Sequence, residues 1–199
     1  MPPDHEGATT HDPFFFGYGS LVNRRTHDYP QAAPATVTGW RRVWRHTTRR
    51  RVAYLSVAEA PGHEIDGLIA AVPNGDWAAL DRRELAYDRL AVAPAAVRHA
   101  IPRPLGVHIY RTSPGHEAPP TARHPVLMSY LDTVVQGFLN VFGEDGARRF
   151  FATTDGWDAP ILDDRGAPRY PRHVDLARAE RAFVDTELAR IGAEVIEED

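Results

Sequence analysis

Residues 14–22 read FFFGYGSLV. Three consecutive phenylalanines predict a strand, and it runs straight into a Gly-Tyr-Gly-Ser loop. An ordinary turn needs one glycine at most. Two glycines flanking an aromatic point to a main chain shaped for close approach, because glycine brings no Cβ to collide with a ligand. Successive N–H groups in such a loop can hold an anion such as a carboxylate. A tight turn leaving a buried strand is the plainer reading of the same residues.

The obvious glycine-loop chemistries fail on spacing. A dinucleotide fingerprint needs a glycine where Val22 stands and a helix starting at once. Pro30 and Pro34 follow instead. No Gly-Lys-Ser/Thr triplet exists for a phosphate loop, and Gly19-Ser20-Leu21 does not make a G-x-S-x-G nucleophile elbow.

Composition narrows the rest. The chain has 199 residues, 43% hydrophobic and 25% charged, with a net charge of −4. One domain over 13–199 behind a flexible 1–12 tail is expected, burying roughly 70% of its unfolded surface. There is no cysteine, so thiolate chemistry and disulfides are excluded. The ten histidines fall in no recognised ligand spacing, and no metal is expected. The start MPPDHEGATTHDP has neither a basic nor an apolar run, and no stretch of eighteen apolar residues occurs. A cytoplasmic protein without a membrane partner is the expectation.

Along the chain, strands are predicted at 13–22, 37–44, 52–58, 65–72, 89–92 and 106–112, with a Pro61-Gly62 turn making 52–58 and 65–72 a hairpin. Asp76 suits the N-cap of a short helix over 77–84. Residues 126–142 carry Leu127, Tyr130, Leu131, Val134, Val135, Phe138 and Leu139 at helical spacing. Further helices are predicted over 145–151 and 175–191. Strands first and helices last make an α+β protein with a mostly antiparallel sheet.

Two charged stretches need a reading. Arg41, Arg42, Arg45, Arg49, Arg50 and Arg51 interleave with Trp40 and Trp44, as on a nucleic-acid surface. Strand alternation splits them between two faces, and Glu59, Glu64, Asp66 and Asp76 can neutralise several. A solvated strand face is favoured and no nucleic acid is expected. The second stretch, residues 80–89, reads LDRRELAYDR. Taken alone it is a salt-bridged helix end, with Glu84 where helix yields to strand and Tyr87 just beyond. Residues 153–173 are rich in Trp, Asp, Arg and Pro; a structural loop is favoured there over a lid or pocket wall.

Together, FGYGSL, Gly39-Trp40-Arg41-Arg42 and LDRRExxYxR resemble the γ-glutamylcyclotransferase superfamily, AIG2-like and ChaC-like, in ChaC-type order and spacing. The resemblance covers residues 14–112, and more thinly 124–143 through Ser129, Tyr130 and Gly137. It implies a small, mixed, partly closed β-barrel with packed helices. It also implies that Glu84 is the catalytic carboxylate and that Phe16, Gly17, Tyr18, Gly19, Ser20 and Leu21 hold the γ-glutamyl group. Tyr87 and Tyr130 then join the pocket. ChaC-type enzymes carry glycines where this chain has Leu85 and Ala86, which bears on their glutathione preference more than on the reaction.

That reaction suits a site without cofactor, metal or protein nucleophile. The substrate's own α-amine attacks its γ-carbonyl, closing 5-oxoproline and expelling an amine. Tethered reactants reach effective molarities of about 10⁵–10⁸ M. One proton carrier is needed, and partial burial is expected to raise the pKa of Glu84 above about 4.3 for that task. Glutathione, a γ-glutamyl amino acid, a γ-glutamyl amine or a protected intermediate all remain open as substrate, as does the oligomeric state. The alternative is a non-catalytic binding module using the basic strand 41–51.

Overall fold

The computed structural model describes residues 12–47, 52–113, 115, 117–121 and 123–197. Its centre is strand β1 (Phe14–Gly17), which lies between antiparallel β3 (Tyr54–Ala71) and parallel β6 (Val107–Thr112). The three phenylalanines are buried because both faces of this strand are covered. Phe14 and Phe16 enter the main core, while Phe15 packs into a second cluster with Leu21, Leu80 and Tyr110. Each such side chain contributes roughly 1.5–3 kcal/mol of hydrophobic stabilisation.

Outward from β1, the sheet continues through β3 to β2 (Ala33–Thr47) and β5 (Val97–His99), and through β6 to β4 (Tyr87–Ala91). The two outermost strands do not pair with each other, so the path stays open where the resemblance implied partial closure. Both are short, and each meets one neighbour on this path. Most pairings are antiparallel, and three helices complete an α+β fold: α1 (Ala78–Arg83), α2 (Met128–Ala152) and α3 (Arg178–Ile191).

One prediction is corrected. The stretches 52–58 and 65–72 are not a hairpin; both lie on β3 and pair with successive parts of β2. The register steps from Thr38↔Glu64 to Trp40↔Glu59, so Pro61 and Gly62 sit in a bulge. Gly62 (φ +82°) and Gly39 (φ +87°) supply the left-handed backbone that this irregularity uses. The hairpin partners are the whole of β2 and β3. A long continuous partner strand outweighed the local turn signal.

Helix α2 lays Leu131, Val134, Val135 and Phe138 on the main core. Gly143 (φ +67°) breaks the helical path, which accounts for the two helices expected over 126–142 and 145–151. Gly137 lets the chain beyond β1 lie against α2. A Cβ there would stand 2.7 Å from the Asn23 nitrogen. Asn23, buried, donates from Nδ2 to Thr133 O and Gln136 Oε1, which docks the residues after the loop onto the helix.

A small parallel sheet of two-residue strands joins 126–127, 161–162 and 195–196. Its register, Ile161↔Val126 and Leu162↔Leu127, brings Asp164 level with Ser129 on α2. Of the expected tail, residues 1–11 lie outside the described residues. Asp12 is buried and accepts a hydrogen bond from the Asn74 N–H at 2.9 Å. Among the described residues no helix is long and apolar enough to cross a membrane.

Candidate active site

Beyond Gly17 the chain leaves β1 and turns through a single 3-10 turn, Ser20–Val22. The N–H groups of Tyr18, Gly19 and Ser20 find no acceptor among the described residues. The loop walls a small hollow. Phe16, Gly17, Tyr18, Gly19, Ser20 and Leu21 all line it, and Glu84, Tyr87 and Tyr130 face them across it. All nine residues singled out in the sequence therefore meet at one hollow. Leu55 and Tyr110, which no motif flagged, complete its wall.

Glu84 arrives there because α1 ends on it. Its N–H closes the last turn on Leu80 O at 2.9 Å, and its own carbonyl accepts from Tyr87 N at 2.8 Å. Leu80, fully buried, anchors the helix, and Asp76 accepts from the Ala78 N–H at its start. The Glu84 side chain is 15% exposed, with Oε1 3.3 Å from Arg83 Nε. Arg83 in turn donates to Thr26 O, Thr26 Oγ1 and Ser20 Oγ. One guanidinium thus spans from the carboxylate to the far side of the glycine loop, a physical reason for the two motifs to occur together.

Tyr18 and Tyr110 are held neutral. Tyr18 donates to Tyr110 O at 2.6 Å, and burial pushes its pKa well up, with the charge of Glu84 adding to the rise. Burial and the bond to Asp81 push Tyr110 up as well. Tyr87 donates to Leu55 O at 2.7 Å. Glu84 is then the carboxylate among the lining residues. Among the described residues no three His, Cys, Asp or Glu side chains converge as a metal site.

Gly17 acts differently from the expectation. A Cβ on Gly17 would sit 2.5 Å from Leu21 Cβ, so its absence lets the loop fold on itself rather than admit a ligand. A Cβ on Gly19 would lie 2.9 Å from the Tyr130 hydroxyl, so this glycine leaves room inside the cavity.

The basic run is also corrected. Arg42 does not belong to a solvated face: it is fully buried and donates to Tyr18 O, Thr153 Oγ1 and Asp66 O. Arg41 chelates Asp155, and Arg45 meets Glu117. Of the acids expected to neutralise the run, Glu59 meets Arg111 and Glu64 meets Arg98, while Asp66 meets Arg149 and also acts on Arg42 by its charge. Residues 49–51 lie outside the described residues. The segment 153–173 does wall the site, since Tyr170 meets Tyr130 edge to face at 5.0 Å.

His27 supports the loop from behind. Its Nε2 is 2.9 Å from Leu21 O and its Nδ1 accepts from the Tyr29 N–H, which selects the neutral ring. Burial pulls its pKa down to about 4. An unfolded chain takes up this proton near 6.5, so the stability present above that pH drains away as pH falls toward 4. Between pH 7 and pH 5 the loss from this group is about 2 kcal/mol at 1.36 kcal/mol per pH unit. Urea denaturation at both values should show His27→Gln losing less than the wild type by about that amount. Equal losses would remove His27 from this role.

A family model described as gamma-glutamyl cyclotransferase, AIG2-like, matches residues 15–126, more than half of the chain, from the buried phenylalanines to the start of α2. The chain belongs to that family. A solved structure titled "Gamma-glutamyl cyclotransferase" aligns at TM-score 0.54 and 15% identity, covering 88% of this chain and 99% of that one. A protein from Homo sapiens titled "uncharacterized protein loc79017" gives 0.55 at 14% identity with the same coverage. YkqA from Bacillus subtilis gives 0.54 at 17%, over 73% of this chain and 56% of that one. At these identities the likeness is one of fold. No curated protein matched in sequence. The family match contains the glycine loop and the Glu84 segment; Tyr130, Asp164 and Tyr170 lie beyond it.

Proposed function

We propose that this γ-glutamyl cyclotransferase family member converts a γ-glutamyl amide to 5-oxoproline and a free amine, with Glu84 moving the proton. One observation carries the reading: the Glu84 carboxylate and the glycine-opened loop line the same hollow. In this scheme the γ-glutamyl group enters the cavity, and its carboxylate or carbonyl oxygen takes the N–H groups of Tyr18, Gly19 and Ser20. Glu84 accepts a proton from the substrate's α-ammonium. The freed amine attacks the γ-carbonyl carbon, and the tetrahedral intermediate collapses as the C–N bond to the leaving nitrogen breaks. Glu84 returns the proton to that nitrogen, then carries the second proton of the ring nitrogen to the released amine, which departs as an ammonium. No water is consumed, and the carboxylate ends as it began.

Arg83 holds the carboxylate in place, and the neutral Tyr18 and Tyr110 wall the cavity without competing for the proton. The test is incubation with γ-glutamyl amino acids and γ-glutamyl alkylamides, with 5-oxoproline measured by chromatography. Release from at least one class is expected. No release from any of them would overturn the reading.

A further inference from the structure

We propose that a second hollow, on the other side of Glu84, seats the leaving amine, and that Arg172 there selects amines bearing a carboxylate. This rests on the cyclotransferase reading of Glu84 and names the substrate class. The hollow shares Ser20, Glu84, Tyr87 and Tyr130 with the cavity described above. The two spaces thus have Glu84 as a common wall. With the γ-glutamyl half in the first, the scissile bond lies beside that wall and the departing group extends into the second.

The walls belonging to the second hollow alone are Tyr54, Arg83, Tyr170 and Arg172. Arg83 is committed to Thr26, Ser20 and Glu84. Arg172 is exposed and makes no hydrogen bond or ion pair among the described residues. Its guanidinium is thus the cation available to a ligand, in a hollow whose lining holds one carboxylate, Glu84. Two guanidiniums to one carboxylate favour an anionic group and disfavour an alkylammonium.

The position of Arg172 is built. Asp164, buried, accepts from Ser129 N, Ser129 Oγ and Arg169 N, and Ser129 Oγ accepts from Tyr170 N. From that anchor the chain turns through Tyr170, Pro171, Arg172 and His173, closed by His173 N donating to Tyr170 O at 3.0 Å. Proline in the second place stiffens such a turn. Arg172 thus stands in a braced turn at the mouth of the site. The class indicated is γ-glutamyl α-amino acids and peptides whose leaving amine keeps a carboxylate within reach, as opposed to γ-glutamyl alkylamines.

Two substrates isolate this contact: γ-glutamyl-L-alanine and γ-glutamylethylamide, which differ by one carboxylate on the leaving amine. The wild type is expected to favour the alanine compound in kcat/KM by about tenfold or more, the scale of one charge-assisted hydrogen bond. In Arg172→Gln that ratio should fall toward one, chiefly through KM, and Arg172→Lys should restore part of it. A ratio is insensitive to the fraction of enzyme folded. An unchanged ratio in Arg172→Gln, or equal turnover of both compounds by the wild type, overturns the subsite alone. Absence of 5-oxoproline from both compounds overturns the cyclotransferase reading and the subsite with it.

Discussion

Glu84→Gln is expected to lower kcat for 5-oxoproline release by about 10²–10⁴-fold, the range for removing a positioned proton carrier. The amide keeps the size of the carboxyl group and can still receive the Arg83 Nε–H, so the loop braced by Arg83 stays in place. Binding of the substrate should survive, because the loop N–H groups and tyrosine walls are untouched. The signature is a fall in kcat with a modest change in KM and an unaltered melting temperature. Glu84→Asp draws the carboxylate back by one methylene and should also lose most of the rate, since proton transfer needs heavy atoms about 2.6–3.2 Å apart. A folded Glu84→Gln enzyme turning over within threefold of the wild type would leave the reaction without its proton carrier, and the mechanism would have to be abandoned.

Much of this site is legible in the sequence because its parts are local. The Gly-Tyr-Gly-Ser loop follows its strand directly, and Glu84 is the C-cap of α1, whose N-cap is Trp77 in place of the expected Asp76. What the sequence hides is long-range. Asp164 meets Ser129 across 35 positions, through the register of a two-residue parallel strand pair that no local pattern announces. The Pro61-Gly62 pair reads as a turn until β2 is seen to run past it. Tyr170 and Arg172 lie in a segment whose composition marks it as unusual without saying what it touches. Arg42 is the instructive case. A run of arginines suggests a wet surface, yet period-two alternation puts Arg42 on the face of Trp44, and both are fully buried. The adjacent tryptophan was the signal available.

That buried guanidinium should carry the largest single contribution to stability. Arg42 Nε donates to Tyr18 O at 2.8 Å and Nη1 to Thr153 Oγ1 at 2.7 Å, while Nη2 serves Asp66 O. Its plane lies over Phe138 and Phe150 at 4.9 and 5.3 Å. Burial pulls its pKa down to about 9, against the opposing pull of Asp66, so it remains a cation at neutral pH. Arg42→Ala takes the donor away from acceptors on β3, the glycine loop and the end of α2 at once and leaves a void among aromatics. The expected loss is about 3–5 kcal/mol, a large part of the 5–15 kcal/mol typical of a whole domain. Lysine has the charge but not the fork, and cannot reach three acceptors pointing in three directions, so Arg42→Lys should recover little. Because one of those acceptors is the Tyr18 carbonyl, any Arg42 variant that still folds should also bind γ-glutamyl substrates more weakly, with KM rising before kcat falls. Urea denaturation and steady-state kinetics on the same preparations separate the two effects. If Arg42→Ala unfolded within 1 kcal/mol of the wild type, the loop would have to draw its rigidity from Arg83 and Asn23 alone.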